Sequence, residues 1–215
     1  ELNILNTKVN SFEIENLRNN GSLRFMNFSA IEIENKPSRF TISRSNLGQA
    51  EFHNFNFASF EKVNVINSIL MNCLFVGSKW TKNIESVDLE SPISMENCLP
   101  IQKAIYSIRL REVYKQIKLA LSKQGNFIEE QYFHGLEMNE YFRSINWKSH
   151  FWTKAILRLS YYFSDYGQSV WRPIFILLVI NGTLYSLLQT ILGFQVVGLN
   201  QHFASALIHT IANFM

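Results

Sequence analysis

The last 43 residues of the chain, from Pro173 to Met215, contain no Asp, Glu, Lys or Arg, although the 215 residues as a whole include 20 Lys and Arg and 17 Asp and Glu. Charged side chains keep a folded surface in water. An uncharged segment of this length therefore needs either a very large protein core or a lipid bilayer around it. The remaining chain is too short to supply such a core, so the charge gap predicts a membrane protein.

The segment 173–197 is the predicted transmembrane helix. It reads PIFILLVINGTLYSLLQTILGFQVV, which exceeds the roughly 20 helical residues that a bilayer core of about 30 Å requires. Between Arg143 and Arg172 the only acid is Asp165, among five Lys and Arg. Lys and Arg accumulate on the cytoplasmic side of a span, so we expect the chain before the helix to be cytoplasmic.

The segment 146–172 precedes this helix and mixes Trp and Tyr with basic residues. Such a composition is typical of a helix that lies along a membrane surface, and we interpret the segment as a juxtamembrane amphipathic element. A soluble amphipathic helix packed on its own domain is the alternative interpretation. The juxtamembrane basic residues that we expect near lipid headgroups are Lys148, Lys154, Arg158 and Arg172.

Small and polar residues recur at helical spacing within the uncharged tail. The small residues favour close packing between helices in lipid, and the candidate helix-packing residues are Gly182, Ser186, Thr190 and Gly193. The segment 200–215 also carries a polar stripe, and we interpret it as a pore-type or second membrane helix that is truncated at Met215. The polar residues allow two interpretations. In the functional one their side chains face a water-filled path, and in the simpler one they contact neighbouring helices. The candidate pore-facing residues are Asn181, Gln189, His202, His209 and Asn213.

In the segment 45–80 a large apolar residue recurs every five positions, and a mostly small residue lies two positions before each one. The large residues are Leu47, Phe52 and Phe57 and, after a slip of three residues, Phe60, Val65, Leu70, Phe75 and Trp80. This pattern is an internal repeat of five residues. Looser apolar positions extend the predicted repeat domain to 1–100, and the slip is expected to mark a bulged or shortened part of it.

The segment 101–145 has apolar residues at helical spacing on both sides of Gly125 and Asn126, which predicts a helical hairpin. The second helix carries Glu130, His134 and Glu137 on one face. Metal sites do use such spacings. We interpret these residues as an ordinary exposed face, because the sequence shows no second ligand cluster.

The pentapeptides SNLGQ, AEFHN and VNVIN are similar to those of the pentapeptide-repeat family. The stretches Tyr114–Arg143 and Tyr166–Pro173 resemble the linker and the span entry of bacterial pentapeptide-repeat membrane proteins. The resemblance implies a β + α membrane protein with a right-handed quadrilateral β-helix, a helical hairpin linker and a two-span, ion-channel-like segment. It also implies an inner-membrane location with the N-terminal domain in the cytoplasm.

The sequence has no phosphate-binding loop, nucleophile elbow, zinc-type cysteine pair or dinucleotide fingerprint. We therefore expect no enzyme activity, no catalytic residues, no cofactor and no metal. The expected function is an oligomeric membrane channel or membrane-perturbing effector with a cytoplasmic sensing or assembly domain. The expected partners are the lipid bilayer, copies of the chain and a cytoplasmic protein, but not nucleic acid. The alternative is a membrane-tethered protein-binding scaffold without conduction.

Overall fold

The computed structural model describes residues 1–33, 36–81, 84–86 and 100–192, together with His209 and Ala212. The chain divides into two compact units, Glu1–Ser169 and Val170–Met215. The strands are β1 Leu2–Leu5, β2 Lys8–Val9, β3 Ser11–Glu15, β4 Leu23–Met26, β5 Ser29–Ala30, β6 Arg39–Ser43, β7 Glu51–His53, β8 Lys62–Ile66, β9 Leu74–Val76 and β10 Ile84–Glu85. The helices are α1 Pro100–Lys123, α2 Phe127–Ser144, α3 Phe151–Ser164 and, in the second unit, α4 Trp171–Leu192.

The strands of the first unit form a parallel β-solenoid of about three turns. One sheet has the order β1-β4-β7-β9, a second has β10-β8-β6-β3, and a third pairs β2 with β5. Every strand pair is parallel and in register, so that Phe25 pairs with Ile4 on one side and with Phe52 on the other. The chain thus returns to the same lateral position once per turn and stacks each turn on the previous one.

The solenoid interior contains the large apolar residues of the five-residue pattern. Seven of the eight are buried, and Trp80 is half-buried. At the slip, a 3-10 helix over Phe57–Ser59 adds a short helical turn and leaves Ala58 exposed. The face is therefore lengthened rather than shortened. Both Phe57 and Phe60 still point into the core, because the extra turn brings the chain back to the interior after three residues.

Stacked aromatic rings run along the solenoid axis. The rings of Phe25 and Phe52 lie 5.0 Å apart, those of Phe52 and Phe75 lie 5.2 Å apart, and Phe28 stacks on Phe55 at 4.9 Å. Neighbouring strands are separated by about 4.8 Å, which is close to the separation of stacked rings. Each aromatic pair adds about 0.5–1.5 kcal/mol beyond the area that it buries. Phe55 occupies a position that is small in most of the repeats. It fits there because its ring stacks on that of Phe28 in the preceding turn.

A ladder of asparagines occupies one corner of the solenoid. Asn6, Asn27 and Asn54 follow β1, β4 and β7, and all three have left-handed backbone with φ near 50°. The Asn27 Nδ2 donates to Asn6 Oδ1 at 2.7 Å, and the Asn54 Nδ2 donates to Asn27 Oδ1 at 3.1 Å. Asparagine tolerates this conformation better than most residues. The corner therefore accounts for three of the 16 asparagines in the first 100 residues, while Gly77 takes the equivalent place after β9.

Helix α1 closes the last turn of the solenoid. Its side chains Ile117 and Leu121 are fully buried against the solenoid core. The Oε1 of Gln116 accepts a hydrogen bond from the backbone N–H of Leu70 at 2.7 Å, and the Oε1 of Gln124 accepts one from Phe75 at 2.9 Å. Helix α2 packs against α1. These contacts cover the apolar column and satisfy two backbone N–H groups of the solenoid turn that α1 covers.

Replacing Phe75 with Asp is expected to destabilise the first unit strongly, whereas Val76→Asp is expected to be mild. Phe75 is 5% exposed and Val76 is 45% exposed. An unpaired carboxylate in the apolar column costs several kcal/mol, of the order of 4 or more, while an outward carboxylate stays in water. Thermal unfolding followed by circular dichroism measures both variants, and equal effects would contradict the inward phase.

Replacing Gln124 with Leu is expected to loosen the closed end of the solenoid. The variant loses the acceptor for Phe75 N–H and the Nε2 donor that reaches the Cys73 carbonyl at 3.0 Å. Each unsatisfied backbone group costs about 1–3 kcal/mol. Hydrogen exchange at the Phe75 amide should accelerate by roughly tenfold or more. The matched control is Gln49→Leu at an exposed position, and an unchanged Phe75 exchange rate in Gln124→Leu would refute the cap.

Candidate membrane segment

Helix α4 is the one helix in the described part of the chain that is long and apolar enough to cross a membrane. Its 22 residues extend about 33 Å at 1.5 Å per residue, which matches a bilayer core of about 30 Å. The helix begins at Trp171, two residues before the predicted start. Pro173 lies in the first turn, where its missing N–H has no intrahelical acceptor.

The surface of α4 is uncovered along its length. None of the residues from Trp171 to Leu188 is buried. Fully covering a large apolar side chain is worth about 1.5–3 kcal/mol, and ten such side chains of α4 are about half exposed, so leaving them in water is disfavoured by on the order of 10 kcal/mol. This exposed apolar surface makes α4 a candidate membrane span. These ten side chains are Ile174, Phe175, Leu177, Leu178, Val179, Ile180, Leu184, Tyr185, Leu187 and Leu188.

The polar groups of α4 bond to the helix itself. The Asn181 Nδ2 donates to the Leu177 carbonyl at 2.9 Å, and the Thr183 Oγ1 donates to the Ile180 carbonyl at 2.9 Å. Backbone acceptors one turn away satisfy donors that hydrocarbon cannot. The presence of Asn181 alone is thus compatible with a lipid-facing position as well as with a pore.

The candidate packing face is described in part. Gly182 and Ser186 are one helical turn apart, and a Cβ built on Gly182 would meet no atom within 4 Å. Of Gln189 and Thr190 only the backbone is described, and both are helical. Gly193, His202 and Asn213 lie outside the described residues. His209 is helical and exposed.

Lys154, one of the four juxtamembrane basic residues, is buried. Its Nζ donates to the Ile145 carbonyl at 2.9 Å and lies 4.6 Å from the centroid of the Phe142 ring and 5.4 Å from that of Trp147. Ile145 is the C-terminal cap of α2, where a cation is favourable for the helix dipole. Lys154 therefore joins α3 to the end of α2.

The other three basic residues are exposed, namely Lys148, Arg158 and Arg172. The sequence does not distinguish Lys154 from these three residues. Lys154 and Leu157 are three residues apart, and in the structure they form the buried side of α3.

The groups in the first unit that have reactive chemistry take structural roles. Burial raises the pKa of the Cys73 thiol to about 12, so the thiol stays protonated and packs in the solenoid interior. The expected exposed face of α2 is wrong, because Glu137 is buried and Glu130 and His134 are half-buried. The Oε2 of Glu137 accepts a hydrogen bond from Lys118 Nζ at 2.6 Å. The described residues contain no group of three or more His, Cys, Asp or Glu that could hold a metal ion.

Comparison of the chain with protein-family models, with curated proteins and with solved structures finds no match in any of the three.

Replacing Lys154 with Ala is expected to lower the free energy of unfolding of the first unit by about 2 kcal/mol, because it leaves the Ile145 carbonyl without its donor and removes the cation–π contacts. The matched control, Arg158→Ala, changes an exposed residue on the same helix and should stay within about 0.5 kcal/mol. Denaturant unfolding of the purified chain in mild detergent checks both. Equal losses would show that Lys154 has no special role.

Proposed function

We propose that the chain forms an oligomeric membrane channel or membrane-perturbing assembly, in which α4 crosses the bilayer and the solenoid unit lies in the cytoplasm. The observation that carries the proposal is the uncovered apolar surface of α4. One or two spans per chain cannot enclose a path for ions. Conduction therefore requires several copies, and closed rotational symmetry is the usual arrangement.

The proposed contact between copies is the face that contains Gly182 and Ser186. Small residues allow helix backbones to approach closely in lipid, where the hydrophobic effect does not drive association. The open space beside Gly182 supports this choice, because a neighbouring helix can reach the backbone there. Thr190 and Gly193 would continue the same face by their spacing in the sequence.

The proposed orientation rests on the exposed cations before the span. Lys148, Arg158 and Arg172 outnumber the single acid Asp165 between Arg143 and Pro173. Positive residues accumulate on the cytoplasmic side. In a bacterial cell, which the family resemblance suggests, the membrane would be the inner membrane, and a cytoplasmic protein would be the further partner of the solenoid.

We also propose that the solenoid is a right-handed quadrilateral pentapeptide-repeat β-helix. Supporting this, pairings between turns recur at four places around the coil, represented by Phe25, Ser29, Phe40 and Asn46. The turn from Glu51 to its partner Leu74 takes 23 residues, which equals four pentapeptides plus the three residues of the 3-10 helix.

The second candidate function is a membrane-tethered scaffold without conduction. The hydrogen bond from Asn181 to the Leu177 carbonyl favours it, because the amide donor needs no water-filled path. In this function α4 only anchors the chain, and the solenoid surface binds a protein partner.

Conductance of the purified full-length chain in planar bilayers tests the proposal. We expect ion currents from the unmodified chain and at least about tenfold less current from the double variant Gly182→Leu, Ser186→Leu, because leucine prevents close backbone approach. The matched control, Leu184→Phe with Leu188→Phe, adds bulk to the opposite side of α4 and should conduct normally.

Chemical crosslinking in the same bilayers reports the assembly state. The unmodified chain and the control should form one discrete oligomer, and the Gly182→Leu, Ser186→Leu variant should not. A chain that inserts but stays monomeric and passes no ions would eliminate the channel and leave the tethered scaffold.

A further inference from the structure

Helix α3 has an apolar stripe that no part of the first unit covers. Trp152 is 76% exposed, Ile156 63%, Leu159 55% and Phe163 43%. Their spacing of four, three and four residues places them in one line along the helix. The stripe is not the face through which α3 packs on the rest of the first unit, because that face contains the buried residues Lys154 and Leu157.

The charges around the stripe are mainly positive, and the nearest acid after it is Asp165 at the C-terminal cap of α3. From Tyr141 to Ser164 the chain has no Asp or Glu. Lys148 and Arg158 are exposed, and the Arg158 guanidinium lies 5.9 Å from the centroid of the Tyr162 ring. A helix with Trp and Leu on one side and exposed cations beside them has the composition of helices that lie in the plane of an anionic membrane surface.

We propose that α3 is an in-plane membrane helix, with Trp152, Ile156, Leu159 and Phe163 inserted into the interface of an anionic bilayer and with Lys148 and Arg158 on the headgroup phosphates. The inference deepens the proposed function, because it rests on the location of α4 in the same bilayer. It does not require a pore, and it holds equally for a tethered scaffold.

The charge pattern favours lipid over a second copy of the chain as the occupant. Two copies that paired through this stripe would bring two sets of Lys148 and Arg158 together without an acid between Tyr141 and Ser164 to offset them. Anionic lipid instead neutralises these cations, at about 1 kcal/mol for each one near the surface. The candidate span also begins at Trp171, only eight residues after Phe163, so the bilayer is available to α3.

In this arrangement the chain has two membrane attachments of different strength. Helix α4 is the permanent one, while α3 binds reversibly through four apolar side chains and its flanking cations. Attachment through α3 should weaken at high ionic strength and in membranes of neutral lipid. The lipid composition would then control how the first unit is held at the membrane surface.

Site-directed fluorescence in reconstituted vesicles tests the proposal with the full chain. Both cysteines are replaced by Ala, and an environment-sensitive dye is attached at Leu159→Cys or, as a control, at the exposed solenoid position Gln49→Cys. The vesicles contain brominated phosphatidylcholine with or without anionic phosphatidylglycerol. We expect bromolipid quenching at position 159 to be at least about twofold greater than at position 49, and greater in anionic vesicles.

A second variant tests the cations. Lys148→Glu with Arg158→Glu should reduce quenching at position 159 toward the level at position 49, while the protein still floats with the vesicles through α4. Because both residues are exposed, this variant should keep the fold, and the far-ultraviolet circular dichroism spectrum checks it.

Three results would overturn the inference. If the protein floats with the vesicles and both labels are equally unquenched, α3 is not in lipid, although the proposed function stands. If position 159 shows energy transfer between copies without bromolipid quenching, the stripe is a protein interface. If the protein does not float with the vesicles, the membrane location fails, and the proposed function fails with it.

Discussion

The contact between α1 and the last solenoid turn is the interaction on which the first unit depends. A stack of parallel strands ends in a row of unpaired N–H and C=O groups above an apolar column, and such an edge is a template for aggregation. Gln116 and Gln124 satisfy two of these N–H groups, and Ile117 and Leu121 cover the column. Helix α1 thus satisfies backbone N–H groups and covers apolar side chains at the same end of the solenoid.

The coil pattern was predictable where the turns are regular and unpredictable where they are not. From 45 to 80 the alternation of large and small residues is regular, because each inward side chain packs on residues one turn away and the number of residues per turn is nearly constant. Upstream, the partners Ser11 and Arg39 are 28 residues apart, and the excursion that contains the bridge between Ile33 and Lys36 interrupts the period. An insertion of this kind leaves no five-residue signal to follow.

The candidate membrane helix was predictable in part. The absence of charge is a property of composition, and it indicates α4 without knowledge of any contact. The partners of individual polar side chains depend on tertiary geometry instead. Lys154 looks like its neighbours Lys148 and Arg158 in the sequence, yet only Lys154 reaches the carbonyl of Ile145. The amide of Asn181 likewise predicts a hydrogen-bond partner outside its helix, but the Leu177 carbonyl of the same helix accepts its hydrogen bond.

The distance along the chain between the last solenoid turn and its closing helix sets an interval during synthesis. Gln116 lies 46 residues after Leu70, and Gln124 lies 49 residues after Phe75. At about 5–20 residues per second, the ribosome needs roughly 2–10 s to add them. For that time a nascent chain has a formed stack with an open edge, and neighbouring nascent chains on one message would present the same edge to one another.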